Sequence, residues 1–166
     1  MDTGKTYYDI NGKEIHMGDI VRISGCYFRS RNGVYFVEYE PGYANWSGSE
    51  LALTGLNEKT GKLVSRSNPR HISFYPMEHF SNRWDEVREA EKWDKEYLRI
   101  ENISGTLEKN KRLRYQTTVR EFFEEKISDI EDFLEKRRIY CTDNDIERDE
   151  KALRQLRGIV ERVGEN

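Results

Sequence analysis

The sequence predicts an α+β fold, a small antiparallel β-barrel with an inserted helix, followed by an antiparallel helical hairpin or coiled coil. Three observations carry this expectation. Short apolar runs bounded by turn residues recur through the first 75 residues, at the close spacing of small barrels. Beyond Pro76, and again beyond Ser104-Gly105, apolar residues recur at helical spacing. Near the C-terminal end the repeat is seven, as in coiled coils. The expected domains are a barrel over residues 1–104 and a helical hairpin over residues 105–166.

Taken in order, Tyr7 to Ile10 and Lys13 to Ile15 flank Asn11-Gly12, a dipeptide suited to a tight hairpin turn because both residues tolerate positive φ. Ile20 to Ser24 and Val34 to Tyr39 alternate as strands, one face inward and one toward water. Leu51 to Leu56 is the next strand, Asn57 to Gly61 turns the chain, and Lys62 to Ser65 pairs back. His71 to Tyr75 is a further short strand. Phe80, Trp84, Val87 and Trp93 place a helix over about residues 77–95. Tyr97 to Ile103 alternates as a closing strand, with a continued helix as the alternative.

In the helical part, Val119, Phe122, Phe123, Lys126, Ile127, Ile130, Phe133, Leu134 and Arg137 trace one stripe. Thr142 or Asp143 is the expected N-cap of the last helix. Its stripe runs through Ile146, Leu153 and Val160, with Asp149, Leu156 and Val163 beside them. Such a stripe suits an internal hairpin or a homodimer seam over residues 146–163.

The net charge is −3, and 36% of residues are charged. Residues 1–75 carry nine Lys or Arg against eight Asp or Glu; residues 76–166 carry nineteen against twenty-three. Sequence-independent nucleic-acid binding by the whole chain needs a strong basic excess, which is missing. Cys26 and Cys141 stand far apart and form neither a disulfide framework nor a zinc spacing. The first ten residues lack the pattern of a secretion signal, and no apolar run approaches the ~20 residues that cross a bilayer. The expected compartment is the cytoplasm, without membrane contact.

Nothing matches a catalytic signature. His16, His71 and His79 are irregularly placed, and no spaced acid or cysteine supports them. Asp143, Asp145 and Glu147 have the alternate spacing that opens a calcium loop, but Arg148 stands where such a loop needs Gly. They read as a capped, acidic first helical turn. The expectation is therefore no enzyme, no metal and no cofactor.

What remains is binding. Between the two long strands, Tyr27, Phe28, Arg29 and Arg31, with Arg22 on the strand, form an aromatic-basic cluster of the kind that stacks bases and holds phosphates. Tyr43 and Trp46, in a loop rich in Gly, Pro, Asn and Ser, are residue types enriched in binding hot spots. Glu124, Glu125, Asp129 and Asp132 form an alternative acidic surface on the first long helix, suited to a basic partner.

The stretch from Gly18 to Val34, through Asp19, Val21, Arg22, Ile23, Gly25 and Gly33, resembles the KOW motif of Src-homology-3-like small barrels in ribosomal and transcription-elongation proteins. The resemblance covers roughly 20 residues and implies a small barrel whose loop contacts RNA or protein. Ser30 stands where the family usually has a mid-loop glycine, and the spacing from Arg22 to Gly25 is one residue short. The overall texture resembles small accessory proteins of phages and mobile elements in Gram-positive bacteria. That resemblance implies a non-catalytic module that binds and inhibits host nucleic-acid-handling machinery, for example a CRISPR effector, through a protein partner. An RNA- or DNA-binding accessory protein acting through the barrel loop is the alternative.

Overall fold

The computed structural model describes residues 6–25, 31–39, 51–64 and 99–164. Across them the chain forms two antiparallel sheets followed by two helices. It divides into two compact units, residues 2–115 and residues 116–166.

The first sheet is a hairpin of β1 (Tyr7–Tyr8) and β2 (Glu14–Ile15). Tyr7 pairs with Ile15 and Tyr8 with Glu14, so a three-residue loop, Ile10 to Gly12, joins the strands. This is one residue longer than the tight turn expected at Asn11-Gly12. Asp9 is the cause: its N–H donates to the Lys13 carbonyl (2.8 Å), and its Oδ1 accepts the N–H groups of Asn11 (2.9 Å) and Lys13 (2.8 Å). Gly12, at φ 80°, takes the left-handed position that closes three-residue hairpins. A one-residue shift exchanges the two faces of a strand pair. Here it turns Tyr7 and Ile15 into the core.

The second sheet contains β3 (Ile20–Ser24), β4 (Gly33–Tyr39), β5 (Leu51–Leu56) and β6 (Arg99–Asn102), in the order β5-β4-β3-β6. Residues 97–103 therefore supply a strand and not a continued helix. Beyond β5, Leu63 forms an isolated bridge to Leu56, and the Val64 N–H donates to the Gly55 carbonyl (3.1 Å), so the chain begins to pair back as expected. A closed barrel is not found among the described residues. The strand expected over 71–75 and the helix expected over 77–95 lie outside them.

One face of this sheet is the core: Val21, Ile23, Tyr35, Val37, Leu51, Leu53 and Ile100 pack with Tyr7 and Ile15. The other face is not the water-facing side that alternation predicts. Ile20, Val34, Phe36, Ala52 and Leu56 lie on it, and all are buried. Both faces of β4 and β5 are thus shielded, with each fully buried Phe or Leu contributing about 1.5–3 kcal/mol. Among the described residues the second face opens toward β6, at Arg22 and Glu101, which sit opposite each other.

Helix α1 (Lys109–Arg137) starts from Glu108, whose side chain accepts the N–H groups of Asn110 (2.9 Å) and Lys111 (3.2 Å). It ends on Lys136 and Arg137, which suit the negative end of the helix dipole. A single 3₁₀ turn, Arg138–Tyr140, leads to α2 (Asp143–Gly164). Thr142 caps α2 in a reciprocal box: the Asp145 N–H donates to Thr142 Oγ1 (3.1 Å), and the Thr142 N–H donates to Asp145 Oδ2 (3.2 Å).

Within residues 116–166, Arg157 of α2 reaches Glu131 of α1 at 3.2 Å across 26 residues of sequence. A straight helix would hold those positions about 39 Å apart at 1.5 Å per residue, so the chain folds back at the connection. Val119, Phe123 and Leu134 are buried on α1; Ala152, Leu153, Leu156, Ile159 and Val163 are buried on α2. The α2 stripe is rotated from the expected one. Ile146 and Val160 are half-buried, while Ala152 and Ile159, which the seven-residue reading passed over, lie inside.

Candidate functional site

The segment from His16 to Asp19 builds a tightly bonded corner at the start of β3. The Gly18 N–H donates to the Val37 carbonyl (2.8 Å), the Val37 N–H returns to the Asp19 carbonyl (2.9 Å), and Asp19 Oδ2 accepts the His16 N–H (2.7 Å) and the Asn102 amide (2.9 Å). Gly33 enters β4 at φ 154°, a conformation that residues with a Cβ rarely adopt. These residues do structural work. His16 belongs with them, exposed between Glu14 (3.0 Å) and Asp19 (3.7 Å).

Of the expected loop cluster, Tyr27, Phe28 and Arg29 lie outside the described residues, as do Tyr43 and Trp46. Arg31 accepts the Tyr35 hydroxyl at its carbonyl. Arg22 projects from the open side of the sheet and donates to Glu58 Oε1 at 2.6 Å. This hydrogen bond, reinforced by the charge of Glu58, raises the Arg22 pKa above its ordinary value. The guanidinium predicted to meet a ligand is thus held by a carboxylate of its own chain.

The same bond, with help from the Arg22 and Lys111 charges, holds the Glu58 carboxyl below the ordinary glutamate range. A depressed carboxylate stabilises the fold above its unfolded pKa and loses that contribution as pH falls through the folded one. Both partners are substantially exposed, so the expected contribution is about 1 kcal/mol or less. Thermal midpoints measured from pH 6 downward should show Glu58→Gln converging on the wild type below the ordinary glutamate range. A constant gap across that range would mean that the pair contributes nothing through ionisation.

The acidic surface expected on α1 is presented to solvent: Glu124, Glu125, Asp129 and Asp132 are exposed, with Lys136 3.4 Å from Asp132. One feature of this surface escaped the sequence reading. Phe133, placed in the apolar stripe, is 43% exposed, and Ile139 and Tyr140 in the connection are 85% and 82% exposed. Phe133 follows Asp129 by one helical turn, so the two share a face. The end of α1 and the turn after it thus expose three large apolar groups, of which Phe133 shares its face with Asp129.

Two buried carboxylates among the described residues were also missed. Asp9 is 1% exposed and binds three backbone N–H groups, the third from Asn102 at 2.8 Å. Its signal was available in the Asp-x-x-Gly spacing of a side-chain-closed turn. Glu38, 4% exposed inside β4, accepts the Thr54 hydroxyl from β5. Its place between apolar neighbours in VYFVEY marked it as unusual.

Compared with known protein families, curated proteins and solved structures, the chain matches none. Among the described residues no helix is long and apolar enough to cross a membrane, and no group of three or more His, Cys, Asp or Glu is placed to hold a metal ion.

Proposed function

We propose that this protein is a non-catalytic binding module whose helical unit docks on a basic protein surface through the corner formed by the end of α1 and the connection to α2. The observation that carries this reading is the exposure of Phe133, Ile139 and Tyr140 in the segment that follows the exposed Asp129 and Asp132. Interface hot spots combine large apolar or aromatic anchors with a polar rim, and an acidic rim selects a basic partner by charge complementarity. Nucleic-acid-handling proteins present basic channels, so an acidic helix face with apolar anchors suits the inhibition of such machinery. A CRISPR effector is one example. The sheet unit then serves as a KOW-like small barrel that carries the helices, in a phage or mobile-element accessory protein of the cytoplasm.

The test compares capture from a lysate of a Gram-positive bacterium by immobilised wild type, by Ile139→Asp/Tyr140→Asp, and by Asp129→Lys/Asp132→Lys. A specific basic partner should be retained by the wild type. Each double variant should weaken that partner by about 30-fold or more, the loss of a hot spot worth ~2 kcal/mol. Equal retention by all three proteins would reject the corner as the interface.

A further inference from the structure

A separate surface, on the sheet unit, collects positive charge in a chain whose net charge is −3. The turn Asn57 to Lys62 lies against the first two turns of α1. A Cβ placed on Gly61 would stand 3.1 Å from Tyr115 Cδ1 and 3.3 Å from Arg114 Cβ, and the Tyr115 hydroxyl donates to the Glu58 carbonyl at 2.9 Å. The turn is itself fixed, since the Gly61 N–H donates to the Asn57 carbonyl (2.7 Å) and Asn57 Oδ1 accepts the N–H groups of Lys59 (2.9 Å) and Thr60 (3.1 Å). Lys59 and Lys62 on the turn, and Lys111 and Arg114 on α1, are thereby brought to one locality.

The acids nearby are already engaged. Glu58 pairs with Arg22 at 2.6 Å, and Glu108 is turned onto the amides of Asn110 and Lys111. Glu101 stands opposite Arg22 on the neighbouring strand. Among the described residues Lys59, Lys62 and Lys111 have no carboxylate within ion-pair distance; Lys111 instead lies 5.9 Å from the centre of the Tyr115 ring. Clustered like charges repel, and the one carboxylate at the start of α1, Glu108, is spent on the helix-end amides. The cost is recovered when an anion spans the cluster.

We propose that the turn Asn57–Lys62 and the first two turns of α1 form a docking surface for the sugar–phosphate backbone of a nucleic acid, independent of the helical corner and of the loop between β3 and β4. Glu108 occupies the amides of the helix end, so side-chain cations carry the contact. Tyr115, the aromatic at its centre, is fully buried and cannot stack a base. Recognition is therefore electrostatic, weak and indifferent to base sequence.

Fluorescence anisotropy with a labelled 20-nucleotide single strand, from 20 to 200 mM salt, tests this. Wild type should bind at low salt and lose affinity with a log–log slope of roughly −2, about −0.7 for each of three phosphates. Lys59→Gln/Lys62→Gln/Lys111→Gln should weaken binding at least ~10-fold at low salt and flatten the slope, as loss of phosphate contacts does. Lys59→Glu/Lys62→Glu, both on the exposed turn, should do the same while leaving the thermal midpoint near wild type. Arg29→Ala/Arg31→Ala should bind as wild type. The proposal is overturned if no binding is seen at 20 mM salt, or if the loop variant alone loses it. It is also overturned if the Gln variant abolishes only a concentration-dependent self-association, which would assign the cations to the acidic helices of a second copy.

Discussion

Asp9→Ala should destabilise the sheet unit by about 3–5 kcal/mol, the largest loss expected from one polar substitution among the described residues. Its carboxylate ties two sheets together. Oδ1 holds the three-residue loop through Asn11 and Lys13, while Oδ2 accepts the buried N–H of Asn102 on β6. Asn102 in turn donates its side-chain amide to the Glu14 carbonyl and to Asp19 (both 2.9 Å), so the carboxylate anchors a network that also holds the start of β3.

Hydrogen bonds to a charged acceptor contribute about 1.5–3 kcal/mol each, and a buried donor left without a partner costs a further ~1–3 kcal/mol. Asn11 and Lys13 are exposed and can turn their N–H groups to water, but the Asn102 N–H is enclosed. The penalty therefore concentrates at β6. Urea denaturation of Asp9→Ala and wild type checks the figure, with amide exchange at Asn102 as the local readout. A difference under ~1 kcal/mol, with Asn102 still protected, would show that the hairpin and β6 are held together by packing alone.

The Asp9 network marks where local pattern stops being informative. Strands β3 to β5 were legible because alternation and flanking turn residues are local properties, and β6 was legible as one of two alternatives. The hairpin register was not. Asn11-Gly12 alone favours a two-residue turn, and what overrides it is a carboxylate two positions upstream whose third partner, Asn102, is 93 residues away. The double burial of β4 was hidden for a similar reason: Phe36 and Val34 look like the second face of any strand until tertiary packing covers them.

The candidate surfaces were legible in residue type and less so in engagement. Arg22 reads as a free basic residue in sequence, and only the approach of the Asn57–Lys62 turn makes it the partner of Glu58. Phe133 reads as core because it lies within a helical stripe. It is exposed because the stripe is wider than the surface it packs on, and buried Leu134 takes the inward position beside it. Lys59, Lys62 and Lys111 were invisible as a group, being spread over 53 positions of a nearly neutral segment.

The register of the α2 stripe makes the other large prediction. Leu156→Ala should lower the stability of the helical unit by about 2–5 kcal/mol, the range for a fully buried leucine, whereas Val160→Ala should cost about 1 kcal/mol or less because that smaller side chain is already partly exposed. The asymmetry follows from the observed spacing. Ala152, Leu156, Ile159 and Val163 are separated by four, three and four residues and are all buried, the a/d rhythm of a packed seam. Ile146 and Val160 lie at its margin. The sequence-predicted stripe, which counts Leu156 and Val160 alike as inward, would instead give the two alanine variants similar costs. Thermal unfolding followed by helical circular dichroism separates these outcomes. Repeated over a 100-fold range of protein concentration, it also distinguishes the two uses of the seam. A midpoint that rises with concentration belongs to a homodimer through residues 146–163. A constant midpoint belongs to an internal hairpin, which the Glu131–Arg157 contact at 3.2 Å predicts.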